Sequence, residues 1–284
     1  MKLIRFGKFG KEKPGVVVDG TMRDASSFGE DYNEGFFESG GIARLKEFIR
    51  ENSSLPPIAA GTRLGSPVAR PSKIVCIGLN YADHAKETNA AIPVEPVIFL
   101  KSTSSLCGPF DDLIIPKNSS KTDWEVELAV IIEKRASYVS ESEAMEYVAG
   151  YCLHNDVSER EFQLERHGTW DKGKGCDTFA PLGPWLTTKD EMIDTTSLRL
   201  WLTVNGNIMQ DGTTANLIFN VPFLVSYVSQ FMSLLPGDVI STGTPAGVGL
   251  GMKPPLYLKS GDVVELGIDG LGTSRQICKA YASN

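Results

Sequence analysis

Continuous apolar runs, more than any helical period, pattern this chain. Lys73–Gly78, Val97–Leu100, Glu125–Ile132, Tyr147–Asn155, Leu198–Val204, Val239–Thr242, Val263–Ile268 and Arg275–Tyr281 read as strands, bounded by glycine, proline and polar clusters. Ahead of them, Leu3–Phe6 and Gly15–Gly20 read as two short strands joined through a glycine-marked turn. Helical spacing is rarer. Leu45, Phe48 and Ile49 place one amphipathic helix over Ile42–Ile49. Ser140-Glu141-Ser142-Glu143 and Ser158-Glu159-Arg160-Glu161 both match the S-x-x-E capping box, so each predicts a helix start. Asn220-Val221-Pro222 predicts a capped helix with proline in its first turn, running to about Met232. Asp269-Gly270 marks a hairpin between the last two strands. Strands outnumber helices and do not alternate with them regularly. That predicts a mixed, β-rich α+β fold, a β-roll with peripheral helices, and argues against βαβ winding.

The segment Gly61–Pro71, after Leu55-Pro56-Pro57, is punctuated by proline and glycine and reads as a connector. It divides the expectation into a small N-terminal domain over 1–70 and a catalytic domain over 71–284. With 42% hydrophobic and 22% charged residues in 284, the chain is an ordinary globular composition and not a disordered one. Lys and Arg total 28 against 35 acids, a formal charge of −7 with no basic block, which argues against nucleic acid as a partner. The five cysteines are scattered without a CxxC pair, so a reducing cytoplasm is expected and a disulfide framework is not. Met1–Arg5 opens no apolar run of signal-peptide length. Residues 212–237 carry no charge, yet Asn216, Asn220, Pro222 and Gln230 interrupt them, which predicts a buried helix and no membrane span.

Five segments could carry chemistry. On a strand, Glu125 and Glu127 point to one face with Ala129 and Ile131, while Val126, Leu128 and Val130 line the other. Two carboxylates about 7 Å apart at the mouth of a buried strand need a compensating cation; a solvated strand end with a nearby lysine fits the same spacing. Asp156, after the apolar strand 147–153, would complete a set of three hard oxygen donors suited to magnesium, manganese or calcium, or would serve as a turn aspartate. His84 and Glu87 are i and i+3 at a predicted helix start, the spacing of a carboxylate-oriented general base and equally of a surface pair. The run Thr169–Asp177, rich in glycine and lysine, could offer a lysine to an anion or form a solvated turn. Ser241–Gly249 leaves a strand into a glycine-rich turn whose amides and Thr244 hydroxyl could hold a carboxylate, or whose glycines are purely conformational.

Taken together, the segments resemble the fumarylacetoacetate hydrolase superfamily over about Ser72–Ala282. The resemblance rests on Gly78-Leu79-Asn80-Tyr81-Ala82-Asp83-His84, Glu125-x-Glu127, Asn155-Asp156-Val157-Ser158-x-Arg160, Lys174-Gly175-x-Asp177 and Gly243-Thr244-Pro245-Ala246-Gly247, in that order. It implies a mixed β-roll core, a homodimer, and one divalent cation, typically Mg2+, per active site, with Mn2+ or Ca2+ as alternatives. Carried over by position, Glu125, Glu127 and Asp156 match the metal carboxylates. His84 and Glu87 match the catalytic dyad, on a segment that in the family often orders as a lid. Lys174 matches the active-site lysine, and Gln163 and Thr244 match substrate-binding positions. Many members have arginine where this chain has Leu79, so a contact from that arginine is absent here. The run Thr169–Gly175 with Phe179–Trp185 resembles the subgroup acting on 2,4-diketo-3-deoxy sugar acids, relatives of which have been called ureidoglycolate lyases.

The resemblance implies hydrolysis of the C3–C4 bond of a 2,4-diketo acid to pyruvate and a shorter acid. A cation polarises the 2-keto acid, His84 oriented by Glu87 deprotonates the attacking water, and Lys174 stabilises charge at C4. The same site type supports oxaloacetate decarboxylation, isomerisation of an unsaturated keto diacid, or ureidoglycolate cleavage. A catalytically silent paralogue that only binds is the alternative outside enzymes. The partner expected is a small anionic keto acid, with no nucleic acid and no membrane.

Overall fold

The computed structural model describes residues 1–52, 54–87 and 91–282. Its main sheet runs in the order Thr21–Asp24, Lys13–Val18, Lys2–Phe6, Leu186–Thr188, Val148–Asn155, Val126–Ile132, Val239–Ser241, Ile74–Gly78, Val97–Lys101. Neighbours are antiparallel except Val239–Ser241 beside Ile74–Gly78. A second sheet has the order Asn207–Thr213, Arg199–Val204, Val263–Ile268, Gly272–Ala280, Leu113–Ile115, with the last pair parallel. The architecture is the mixed β-rich α+β fold that the pattern predicts.

The central strand Val126–Ile132 explains how the layers meet. Every residue in it is buried, yet its side chains alternate. Val126, Leu128, Val130 and Ile132 pack with Leu200, Leu202, Val264 and Leu266 of the second sheet. Ala129 and Ile131 face the opposite core with Leu3, Val16, Phe36 and Phe37 of the N-terminal segment. A single strand therefore holds two apolar layers, each fully buried large side chain contributing about 1.5–3 kcal/mol. Leu3 pairs with Leu186 and Lys2 with Thr187, so the first strands extend the main sheet.

Local signals succeed where nothing distant competes with them. Asn220 Oδ1 accepts from Phe223 N at 2.9 Å and caps the helix Val221–Ser229, with Pro222 in its first turn. That helix ends three residues before Met232, and among the described residues no helix is long and apolar enough to cross a membrane. The amphipathic helix spans Gly41–Glu51, and Ile268 pairs with Gly272 around Asp269-Gly270. The two capping boxes behave differently. Ser140 leads through a turn into a short 3-10 helix, Ala144–Tyr147. Ser158 caps no helix: it lies in a strand paired with Asp123, and its hydroxyl donates to Asp156 O at 3.1 Å. Long-range pairing outweighs the cap there, and a π-helical turn, Glu161–Glu165, follows. The strand Asn207–Thr213 lies outside the expected set, although Asn205 and Gly206, with φ of 52° and 78°, form the Asn-Gly turn that announces it.

Candidate active site

Strand register assembles the carboxylates. Val126 pairs with Asn155 and Glu127 with His154, so the start of one strand lies beside the end of the other. Glu125 immediately precedes the first strand, Asp156 follows the second, and Asp156 N donates to Glu125 O at 2.9 Å. One carboxylate oxygen from each of Glu125, Glu127 and Asp156 lies within 4.8 Å of the others, and all three residues are buried. This is the set that the sequence brings forward for a metal, and the solvated strand end is excluded by the burial.

Three cations surround it. Lys174 Nζ donates to Glu125 Oε2 at 2.7 Å and to Asp156 Oδ2 at 3.0 Å. Lys101 Nζ donates to Asp156 Oδ1 and to Val157 O. Arg160 spreads its guanidinium over Asp123 Oδ2 at 2.8 Å, Glu125 Oε1 at 2.7 Å and Gln163 Oε1 at 3.0 Å. Burial opposes charge on Glu125 and on Asp156, but the neighbouring lysines, with Arg160 beside Glu125, hold both carboxyls below the usual range. Burial raises Glu127 well above it, and Asp156 and Glu125 push in the same direction. Glu127 receives Ser241 Oγ at 2.5 Å and Gly243 N at 2.9 Å, and has no lysine or arginine ion pair among the described residues. Asp123, Glu125 and Asp156 thus face three cations, while Glu127 faces none. Three clustered hard oxygen donors fit a divalent cation.

His84 and Glu87 lie on the short helix Ala82–Glu87. His84 Nδ1 is 3.4 Å from Glu87 Oε2, and Gly247 N donates to Glu87 Oε1 and Oε2 at 3.0 and 3.1 Å. The helix is tied down at Asn80. Its Nδ2 donates to Thr242 O at 2.8 Å and to Phe219 O at 3.0 Å, while its Oδ1 accepts from Phe219 N. The glycine-rich turn after Ser241 therefore presents its amides to the protein's own acids: Gly243 N to Glu127, Gly247 N to Glu87, and Gly249 N and Leu250 N to Asp123. At Gly243, with φ of 100°, an added Cβ would lie 2.9 Å from Asn80 Cβ, so only glycine brings this amide so near.

A cleft of about 210 Å3 opens over this arrangement, lined by His84, Glu125, Glu127, Gln163, Lys174 and Thr244 among others. Asp156 lies behind the lining, in contact with Lys174, and Glu87 behind His84. Lys174 is not in a solvated turn; it sits on the four-residue helix Asp171–Lys174 and is 2% exposed. Gln163 Oε1 takes Arg160, which leaves its amide NH2 as the donor for an oxygen in the cleft. Thr244 Oγ1 donates to Val126 O at 2.9 Å and accepts from Gln210 Nε2 at 2.8 Å, so its proton is committed to the backbone. Lys101, Asp123, Ser241 and His154 are absent from the expected set. Buried His154, its imidazole pushed down to about 3 chiefly by burial, hydrogen-bonds Ser241 Oγ at 2.6 Å behind Glu127. No local signal marks Lys101 or His154; the Asn155–Arg160 motif contains Arg160 without revealing its partners.

Residues 73–277 match the sequence profile described as the fumarylacetoacetate (FAA) hydrolase C-terminal domain. The chain belongs to the fumarylacetoacetate hydrolase family. A Burkholderia multivorans protein named only as a hydrolase is 52% identical over 282 residues, 99% of each chain. The solved structure of the fumarylacetoacetate hydrolase from psychrophilic Exiguobacterium antarcticum is 34% identical, with a TM-score of 0.86 over 99% of this chain and 100% of that one. The maleylpyruvate hydrolase of Sphingobium sp. SYK-6, solved with manganese(II) and pyruvate, is 29% identical, with a TM-score of 0.83 over 99% and 100% of the two chains. Membership places this fumarylacetoacetate hydrolase relative among enzymes, with a carboxylate triad able to hold a metal at its centre.

Proposed function

We propose that this protein is a divalent-metal-dependent hydrolase. It cleaves the C3–C4 bond of a 2,4-diketo acid, either an acylpyruvate or a 2,4-diketo-3-deoxy sugar acid, to pyruvate and a shorter acid. The observation that carries this reading is the pairing, at and just behind the wall of one cleft, of three buried carboxylates within 4.8 Å of one another with a histidine–glutamate dyad. The Sphingobium relative, solved with manganese(II) and pyruvate, supports the ligand class. The cofactor proposed is magnesium, with manganese or calcium able to replace it. The proposed setting is a cytoplasmic homodimer, without nucleic acid or membrane as partner.

A cation held by Glu125, Glu127 and Asp156 supplies Lewis-acid polarisation of the keto acid oxygens. The residues of the chain do the rest. Glu87, fixed by Gly247 N, holds His84 through Nδ1, so His84 Nε2 takes the proton of a water that adds to C4. Lys174 provides a buried ammonium beside the developing charge; a preorganised donor of this kind contributes about 3–4 kcal/mol. Gln163 offers its amide to a substrate oxygen, and Thr244 closes the cleft beside Val126. Water adds to C4, the C3–C4 electron pair passes to the pyruvate fragment, and C3 takes up a proton. The products are pyruvate and the acid formed at C4. Measuring pyruvate release from acylpyruvates, diketo sugar acids and oxaloacetate tests the reading. A kcat/KM higher for a 2,4-diketo acid than for oxaloacetate is expected; the reverse would assign a decarboxylase.

A further inference from the structure

We infer that the substrate carries a single carboxylate and that the group beyond its C4 carbonyl is uncharged. The inference rests on the proposed keto acid site and narrows its substrate class. Apart from the carboxylate cluster with its cations, and His84, Gln163 and Thr244, the cleft is lined by apolar side chains, among them Leu79, Phe99, Leu164, Trp170 and Leu250. This wall is built by the fold. Trp170 packs edge-on against Phe99, with centroids 5.3 Å apart, and seats on Gly78, where any Cβ would come within 2.6 Å of the indole.

The cations of the cleft are already engaged. Arg160 gives Nε, Nη1 and Nη2 to Asp123, Gln163 and Glu125. Lys174 bridges Glu125 and Asp156, and His84 faces Glu87. In the segment that carries Leu164 and Trp170, Arg166 pairs with Glu161 and lies over the Phe162 ring, while Lys172 donates to the carbonyls of Arg166 and His167. Among the described lining residues no cation remains for a second carboxylate. A second would sit unpaired against leucine and tryptophan, an arrangement that burial penalises.

A pair of stable keto acids of equal length separates the two cases: 2-oxohexanoate ends in a methyl group, and 2-oxoadipate ends in a carboxylate. Their binding to the manganese-loaded protein, measured by isothermal titration calorimetry, requires no turnover. Binding of 2-oxohexanoate at least about tenfold tighter is expected; equal or tighter binding of 2-oxoadipate overturns the inference, as does binding of neither. Leu79→Arg places a cation in the wall and is expected to tighten 2-oxoadipate about tenfold while sparing 2-oxohexanoate. A variant with no selective gain contradicts the assignment of this wall to the acyl end. Pyruvate release from 2,4-dioxohexanoate, with propionate as the other product, reports separately on the hydrolase reading. If the binding preference holds and no pyruvate appears, that reading fails while the single-carboxylate selectivity stands.

Discussion

The carboxylate cluster and the His84–Glu87 dyad face one cleft but are held by different means. Glu125, Glu127 and Asp156 are fixed by the register of two fully buried strands and by ion pairs reaching across the fold, such as Lys101 to Asp156. The dyad stands on a six-residue helix, held by one backbone amide and by the Asn80 anchor. Removing Asp156 or Glu125 should therefore disturb the fold and the proposed metal site together, whereas removing His84 should disturb the proposed chemistry alone. A candidate metal site can thus be part of the core while the histidine beside it is a local attachment.

The largest effect should come from Asp156→Ala. It strands Lys101 and Lys174 in the interior, and a loss of about 3–5 kcal/mol of stability is expected in denaturant unfolding. Wild-type stability in that variant would break the comparison. His84→Ala should reduce kcat by about 10²–10⁴-fold, with manganese affinity and unfolding midpoint nearly unchanged. A large fall in metal affinity there would show the two halves to be one unit. Glu127→Gln is nearly isosteric and strands no ion-pair partner, so it should weaken manganese binding by about 100-fold or more while sparing stability. The smallest effect is expected from Gly251→Ala. The new Cβ would come within 2.4 Å of Glu87 Cδ and shift that flexible carboxylate, lowering kcat/KM about tenfold with metal affinity unchanged.

The same contrast separates what was legible in the sequence from what was not. The alternation of Val126, Leu128 and Val130 against Glu127, Ala129 and Ile131 is written in consecutive residues, as is the i, i+3 spacing of His84 and Glu87. Both are found where that spacing places them. The cap at Asn220 is equally local. The counter-ions are not: Lys101 lies 55 residues from Asp156, and Asp123 lies 37 from Arg160, so only the folded register brings them together. Ser158 shows the reverse failure, a well-formed capping motif overridden because its backbone is taken by Asp123. The glycine-rich turn was readable as an anion cradle, but not that its anions would be Glu127, Glu87 and Asp123.

In the proposed reaction the buried triad and the dyad act together on a 2,4-diketo acid. It is tested most directly by following pyruvate release from 2,4-dioxohexanoate with chelator-treated protein, before and after magnesium is restored. No release is expected without the metal, with recovery on its addition and no recovery in His84→Ala at the same magnesium concentration. Undiminished release after chelation, or full recovery in His84→Ala, would contradict it.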